Sequence, residues 1–213
     1  MEYKNDTLLD EKTLEQLEYH YRSILALLGE DSDREGLKKT PRRAAKAMCF
    51  LTQGYRKSDD DVIKSAIFEY AGSQIIIVRD IEFYSMCEHH ILPFFGKVHI
   101  GYVPNGNMVG LSKIARLVEV FARRLQVQER LTKEICDSLF RTLSTHGVIV
   151  MIEGQHLCMQ MRGVEKQGAV TTTLEYTGCF EEEARRAEFF IHICAKRIQA
   201  QCRTIEIIPI LPI

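Results

Sequence analysis

The stretch "SQIIIVRDIEFYSM", Ser73 to Met86, decides the fold, because β-branched and aromatic residues here replace the helical pattern of the preceding chain. Such residues suit a pleated, half-buried surface and predict a β-strand. "GKVHIGYVP", Gly96 to Pro104, predicts a second strand that ends in a turn. "VIVMIEGQHLCMQMR", Val148 to Arg162, and "AVTTTLEYTG", Ala169 to Gly178, predict a third and a fourth strand.

Two long helices are predicted between the second and third strands. The first begins at Ser112, which stands at an N-cap position, and the second is capped by Thr132 and ends at Gly147. A closing helix follows from Glu181, with acids in its first turn and bases in its last. Strands that flank a helix pair predict an α+β fold with an antiparallel sheet.

Helices are also predicted before the first strand. Glu11 to Glu30 carries apolar residues at helical spacing, and Thr40 and Ser58 can each begin a further helix. We therefore expect residues 1–70 to form an N-terminal helical region and residues 71–213 to form a second domain, which contains the sheet.

The composition argues against several classes of protein. The chain has 213 residues and a formal net charge of -1, with no apolar run near the ~20 residues of a membrane span. We therefore expect neither nucleic acid nor membrane as a partner. The polar, acidic N-terminus is unlike a secretory signal, and the seven scattered cysteines indicate free thiols in a reducing cytoplasm.

The stretch "MCEHHILPF", Met86 to Phe94, concentrates groups that are costly to bury alone. Cys87 and His90 are three residues apart, a spacing that can bring both side chains onto one metal ion. In the predicted third strand, alternation would place His156, Cys158 and Arg162 on one face and leave the other to the core.

These two clusters predict a Zn²⁺ site formed by Cys87, His90 and Cys158. Three protein ligands leave a fourth position for water, as in catalytic zinc sites, and His89 and His156 would be the general acid and base. Two alternatives remain open. Each cysteine can be a small buried hydrophobic residue, or a fourth protein ligand can close a structural zinc site.

Two further sites are predicted around the long helices. Ser112, Lys113 and Arg116 lie near a helix N-terminus, where a phosphate chain can bind, although a solvated basic face is the simpler interpretation. Gln128 and Glu129 lie at the junction of the two helices. The carboxylate there can accept hydrogen bonds from the edge that guanine presents, or it can merely pair with a neighbouring arginine.

Taken together, these motifs resemble one family, GTP cyclohydrolase I. The resemblance rests on "CEHHILPFFGKVHIGYVPN", "VGLSKIARLVEVFARRLQVQERLT" and "HLCMQMRG", and it covers about residues 35–190. It implies a tunnelling fold, in which an antiparallel sheet is backed by two long helices, and a toroidal homodecamer. The implied reaction opens the imidazole ring of GTP, releases C8 as formate and yields 7,8-dihydroneopterin triphosphate, the first step of tetrahydrofolate biosynthesis.

The resemblance also assigns roles to residues. It implies zinc ligation by Cys87, His90 and Cys158, and proton transfer by His89 and His156. It implies guanine binding by Glu129 with Gln128 beside it. The positions that match the triphosphate and ribose contacts are Ser112, Lys113, Arg116 and Arg162. Each site of this family is built from neighbouring subunits. The apolar tail, residues 203–213, continues beyond the usual end of the family, and we expect it to add an edge strand or to lie in a subunit contact.

Overall fold

The structure is a computed structural model that describes the backbone of residues 11–205 and the side chains of residues 11–194. Its helices are α1 (Glu11–Leu27), α2 (Thr40–Leu51), α3 (Asp59–Lys64), α4 (Leu111–Ala122), α5 (Gln128–Leu143), α6 (Leu157–Gln160) and α7 (Glu183–Ile205). Its strands are β1 (Ile67–Glu69), β2 (Ile76–Cys87), β3 (Leu92–Val103), β4 (Asn107–Val109), β5 (Leu125–Gln126), β6 (Gly147–His156) and β7 (Thr171–Gly178).

The main sheet has five strands in the order β5-β2-β3-β6-β7. The four predicted strands, β2, β3, β6 and β7, pair antiparallel with their neighbours, whereas the two-residue β5 lies parallel to the end of β2. The short strands β1 and β4 form a separate antiparallel pair. The α+β prediction with an antiparallel sheet is therefore confirmed.

Helices α4 and α5 cover one face of this sheet. The core between them and the sheet includes Val98, Ile100, Leu117 and Leu131, all fully buried. Because strand side chains alternate, the residues between the core positions of β6 point to the opposite face, where Ile149 packs near α7. The sheet is thus backed by the two long helices as expected.

The direction of α4 determines which groups lie near which end of the sheet. Cys87 at the end of β2 pairs with Leu92 at the start of β3, and the chain leaves β3 at the other end, beside Ile76. Helix α4 begins soon after that point and leads back to β5, whose Gln126 lies beside Cys87. The helix is about 18 Å long, roughly half the length of β2. It starts on the side away from Cys87, where the last residue of β4 donates its N–H to the Tyr102 hydroxyl at 3.4 Å.

Both long helices begin earlier than predicted. The N-cap of α4 is Gly110, so Ser112 is inside the first turn and makes no capping bond. Helix α5 begins at Gln128, and Thr132 lies within it, where its hydroxyl donates to the Gln128 carbonyl oxygen at 2.7 Å. The helix ends before Ser144, which has a left-handed backbone, and not at Gly147.

The predicted third strand is too long. Strand β6 ends at His156, and residues 157–160 form the single helical turn α6. The partner of His156 is Phe94, and the next residue along β3 is Pro93, which has no N–H to extend a ladder. The prediction that His156, Cys158 and Arg162 share a strand face is therefore wrong. Met161, predicted to fill the core, is 63% exposed.

Residues 11–66 contain the three predicted helices α1, α2 and α3, and the short strand β1 follows them. Ser58 caps α3 by accepting a hydrogen bond from the Asp61 N–H at 3.2 Å. The division of the chain at residue 70 stays a prediction. Within the described residues, no helix is both long enough and apolar enough to cross a membrane. Helix α7 extends to Ile205. The apolar tail was predicted to add an edge strand or to lie in a subunit contact, and its residues 206–213 lie outside the described part of the chain.

Candidate metal centre

The turn between β2 and β3 brings Cys87 and His90 together. The backbone N–H groups of His90 and Ile91 both donate hydrogen bonds to the Cys87 carbonyl oxygen, at 3.3 and 2.8 Å. Ile91 has a φ of 54°, which is a strained value for a β-branched residue and tightens the turn. As a result, the Cys87 sulfur lies 3.8 Å from Nδ1 of His90.

Helix α6 supplies the third group, Cys158. The ligand atoms of Cys87, His90 and Cys158 all lie within 4.8 Å of one another, so they could hold one metal ion. Cys87 is buried, Cys158 is half-buried and His90 is exposed. The helical turn, not a strand, brings Cys158 to this position.

The electrostatics of this cluster favour a cation. Burial raises the pKa of the Cys158 thiol, and the nearby Cys87 raises it further. The Cys158 thiol therefore resists ionisation on its own, whereas a coordinating divalent ion deprotonates its thiol ligands outright. Two sulfur atoms and one imidazole nitrogen are a donor set that fits Zn²⁺.

Helix α5 and β5 anchor the ligand turn. The Glu88 N–H donates to the Gln126 carbonyl oxygen at 3.0 Å, and the Glu88 carboxylate forms an ion pair with Arg130. This pairing lowers the pKa of the Glu88 carboxyl. Arg130 also donates through Nε to Oε1 of Gln126 at 2.8 Å. This network could not be predicted from the sequence, because its members lie far apart in the chain and form no recognisable motif.

The histidines predicted to transfer protons flank the cluster differently. His89 lies on the exposed ligand turn, with its ring edge-on to that of His90 at 6.2 Å between centroids. His156 is half-buried at the end of β6 and stacks on Phe94, with the ring centroids 4.7 Å apart and the planes within 3°. Burial lowers the pKa of His156, and the nearby Glu129 opposes that shift. Phe94 was not predicted as a site residue.

Gln128 and Glu129 have different surroundings. Gln128 is 1% exposed, and its side-chain oxygen lies 2.9 Å from Nε2 of His156. Glu129 is exposed in the first turn of α5. The structure therefore brings both residues near His156, one of them already bonded to the protein.

The residues predicted to bind phosphate do not all reach this cluster. Ser112, Lys113 and Arg116 lie in the first half of α4, whereas Cys87 pairs with β5, which follows the end of that helix. Arg162 lies just after α6, is exposed and is close enough to Cys158 to oppose the rise that burial causes in the pKa of that thiol. Within the described part of the chain, Lys113, Arg116 and Arg162 form no ion pair.

Comparisons with known proteins agree with this architecture. The family model described as GTP cyclohydrolase I matches residues 17–204. A protein of Porphyromonas gingivalis named GTP cyclohydrolase 1 is 57% identical over 187 residues, which cover 88% of this chain and 97% of that protein. Proteins of the same name from Chlorobaculum tepidum and Dictyostelium discoideum are 53% and 52% identical over 84% of this chain, covering 81% and 78% of their own lengths.

The fold and the comparisons lead to one assignment. The antiparallel sheet backed by α4 and α5 is the tunnelling-fold architecture that the sequence resemblance implied. The match extends over most of this chain and most of each relative. The chain belongs to the GTP cyclohydrolase I family.

Proposed function

We propose that this protein is a zinc-dependent GTP cyclohydrolase I, which converts GTP into 7,8-dihydroneopterin triphosphate and formate. The observation that carries the proposal is the convergence of the Cys87, His90 and Cys158 ligand atoms within 4.8 Å, beside two histidines. Membership of the family supports the substrate and the reaction.

The metal ligands in this proposal are Cys87, His90 and Cys158. When bound, Zn²⁺ acts as a Lewis acid and lowers the pKa of water from ~15.7 toward ~7. Three ligands, and not four, are the arrangement of catalytic zinc sites.

The two histidines supply the proton transfers. C8 of a purine is a poor electrophile, so a proton donated to N7 makes attack at C8 easier. His89, on the exposed turn, can exchange protons with solvent, whereas His156 is held by Phe94 and Gln128 in a half-buried position. The lowered pKa of His156 favours its neutral, proton-accepting form near pH 7.

Substrate binding in this proposal divides between two groups of residues. The exposed Glu129 carboxylate accepts hydrogen bonds from the guanine N–H and amino groups, with Gln128 beside it. Ser112, Lys113, Arg116 and Arg162 bind the triphosphate and ribose, and the unpaired cations among them offset its charge. Since α4 begins away from Cys87 and leads toward it, the residues in the first half of α4 would serve a neighbouring subunit, as in a toroidal decamer. We further propose a cytoplasmic location, where the free cysteines stay reduced.

The test is the reaction itself. Zinc-loaded protein is incubated with GTP, and formate and the fluorescent pterin formed on oxidation are measured. We expect both products in equal amounts, and we expect Cys158→Ala to lose zinc and nearly all activity while it keeps its fold. Cys49→Ala, which removes another half-buried thiol, is the matched control. Wild-type protein with full zinc and no formate would contradict the proposal, as would an active Cys158→Ala without zinc.

A further inference from the structure

The orientation of the Gln128 side-chain amide is fixed by its neighbours. Its nitrogen lies 3.1 Å from the carbonyl oxygen of Ile152 and 2.9 Å from that of Thr171. Carbonyl oxygens can only accept, so the NH₂ end of the amide must face them. The amide oxygen therefore faces Nε2 of His156, at 2.9 Å.

The hydroxyl groups of two threonines lead to the same orientation of the Gln128 amide. Thr132 donates its hydroxyl proton to the Gln128 main-chain oxygen at 2.7 Å, so toward Thr173, 2.6 Å away, it can only accept. Thr173 donates to Thr132 and is left to accept from the Gln128 amide nitrogen at 3.1 Å. Each donor in this chain thus has an acceptor, and flipping the amide would place its oxygen against two carbonyl oxygens, which can only accept.

The backbone around the amide is shaped to hold it. A Cβ atom at Gly154 would lie 2.3 Å from the Gln128 side-chain oxygen, so only glycine leaves room for the amide here. Phe94 fixes the plane of the His156 ring from one side. The ring plane and the hydrogen-bonded ring edge of His156 are therefore both set by protein contacts.

We propose that Gln128 is a positioning residue that holds His156 as the Nε2–H tautomer, so that Nδ1 is the atom that exchanges protons in the reaction. An amide oxygen can only accept, so Nε2 must carry a proton. Among the described residues, none forms a hydrogen bond with Nδ1. His156 thus takes up a proton on Nδ1 and returns it from Nδ1, while Nε2 keeps its own proton. The catalytic part of this inference rests on the proposed proton-transfer role of His156.

The kinetic test separates positioning from substrate binding. Gln128→Met keeps the approximate length and volume but removes every hydrogen bond of the amide. We expect kcat to fall on the order of 10²-fold, the usual scale of a general acid or base, with the KM for GTP changed less than about threefold. A large rise in KM with kcat unchanged would overturn the inference. The control is Gln126→Met, which removes an equally buried amide that does not touch His156. We expect His156 to stay protonated on Nε2 in this variant.

The spectroscopic test needs no variant to be active. Solid-state ¹⁵N NMR of histidine-labelled, zinc-loaded protein at alkaline pH reports which ring nitrogen carries the proton, and the signals missing from His156→Asn assign them. We expect His156 to be protonated on Nε2 in wild type and in Gln126→Met, and to become a mixture of tautomers in Gln128→Met. A proton on Nδ1 in wild type would overturn the inference, even if formate is produced. The Nε2–H tautomer without formate would support the assignment and refute the proposed function.

Discussion

At the scale of single residues, the site contains buried side chains that bond to other protein groups and exposed side chains that can meet a ligand. Gln128 and Glu129 are adjacent, yet the first is buried in a network of protein hydrogen bonds and the second is exposed. Successive residues of a helix point about 100° apart, so the first turn of α5 can serve both purposes. Glu129 is therefore the member of the pair that is available to a ligand.

The exposed carboxylate of Glu129 leads to a prediction about base selectivity. In Glu129→Gln one acceptor oxygen becomes a donor, which opposes the amino group of guanine. We expect the preference for GTP over ITP, measured as the ratio of their kcat/KM values, to fall at least about tenfold. Glu82→Gln, which alters another exposed carboxylate on β2, is the control. Equal kinetics of GTP and ITP in the wild type would contradict a role for Glu129 in reading that amino group.

The sequence predicted which two cysteines and which histidine come together better than it predicted the elements that carry them. Cys87 and His90 were predicted from local spacing, which a turn preserves. Cys158 was predicted with the right partners but on a strand, because alternating apolar residues after His156 resemble a strand pattern. Arg130 and Phe94 were missed, since their contacts with Glu88 and His156 join positions far apart in the chain.

At the scale of elements, the strands were easier to predict than the helix starts. β-Branched residues and alternation located all four long strands of the sheet. Helix α5 begins at Gln128 without any capping side chain, so no local signal marked its start. The five-residue link between α4 and α5 contains β5, which exists only because β2 lies beside it. Such tertiary pairing cannot be seen in local sequence.

The contact between α3 and α5 leads to a prediction about stability. Asp59 accepts hydrogen bonds from Ser138 at 2.6 Å and Arg141 at 2.9 Å. Despite its partial burial, which opposes the shift, these bonds lower the pKa of the Asp59 carboxyl. A lowered carboxyl pKa stabilises the folded state above the unfolded pKa of about 3.9, and that stabilisation is lost as the pH falls through and below it.

We therefore expect Asp59→Asn to destabilise the protein by about 1 kcal/mol at pH 7, because a partly exposed charged hydrogen bond is lost. Thermal unfolding at a series of pH values measures the effect. The difference from wild type should shrink as the pH falls below about 4. Asp61→Asn, in the same turn, is the control, since no side-chain partner holds that carboxylate among the described residues. A difference that stays constant with pH would show that the Asp59 charge is not involved.

At the scale of the whole molecule, one chain holds the parts of the proposed site at two distant places. The candidate metal cluster lies where β2 ends, whereas Lys113 and Arg116 lie in the first half of α4, on the side away from that cluster. The sequence alone could not separate these groups, because only the direction of α4 along the sheet does so. If both groups act on one GTP, we expect them to come from different subunits.

This separation predicts complementation between inactive chains. Cys158→Ala removes a proposed zinc ligand. The double variant Lys113→Ala, Arg116→Ala removes two cations that are proposed to bind the triphosphate. Random oligomers formed from equal amounts of both should regain up to about a quarter of wild-type activity, since each intact site needs one sound part from each of two chains. Cys87→Ala mixed with Cys158→Ala should regain none. No recovery in the first mixture, with mixed oligomers present, would mean that each site lies within one chain.

The most direct test of the account is the coordination of the metal in the purified, active protein. X-ray absorption at the zinc edge reports the atoms bound to zinc and their distances. The account predicts two sulfur ligands at about 2.3 Å, and nitrogen or oxygen ligands at about 2.0–2.1 Å from one histidine and the open position. Cys158→Ala should remove one sulfur or all of the zinc. A zinc shell without sulfur, or one closed by four protein ligands, would contradict the account.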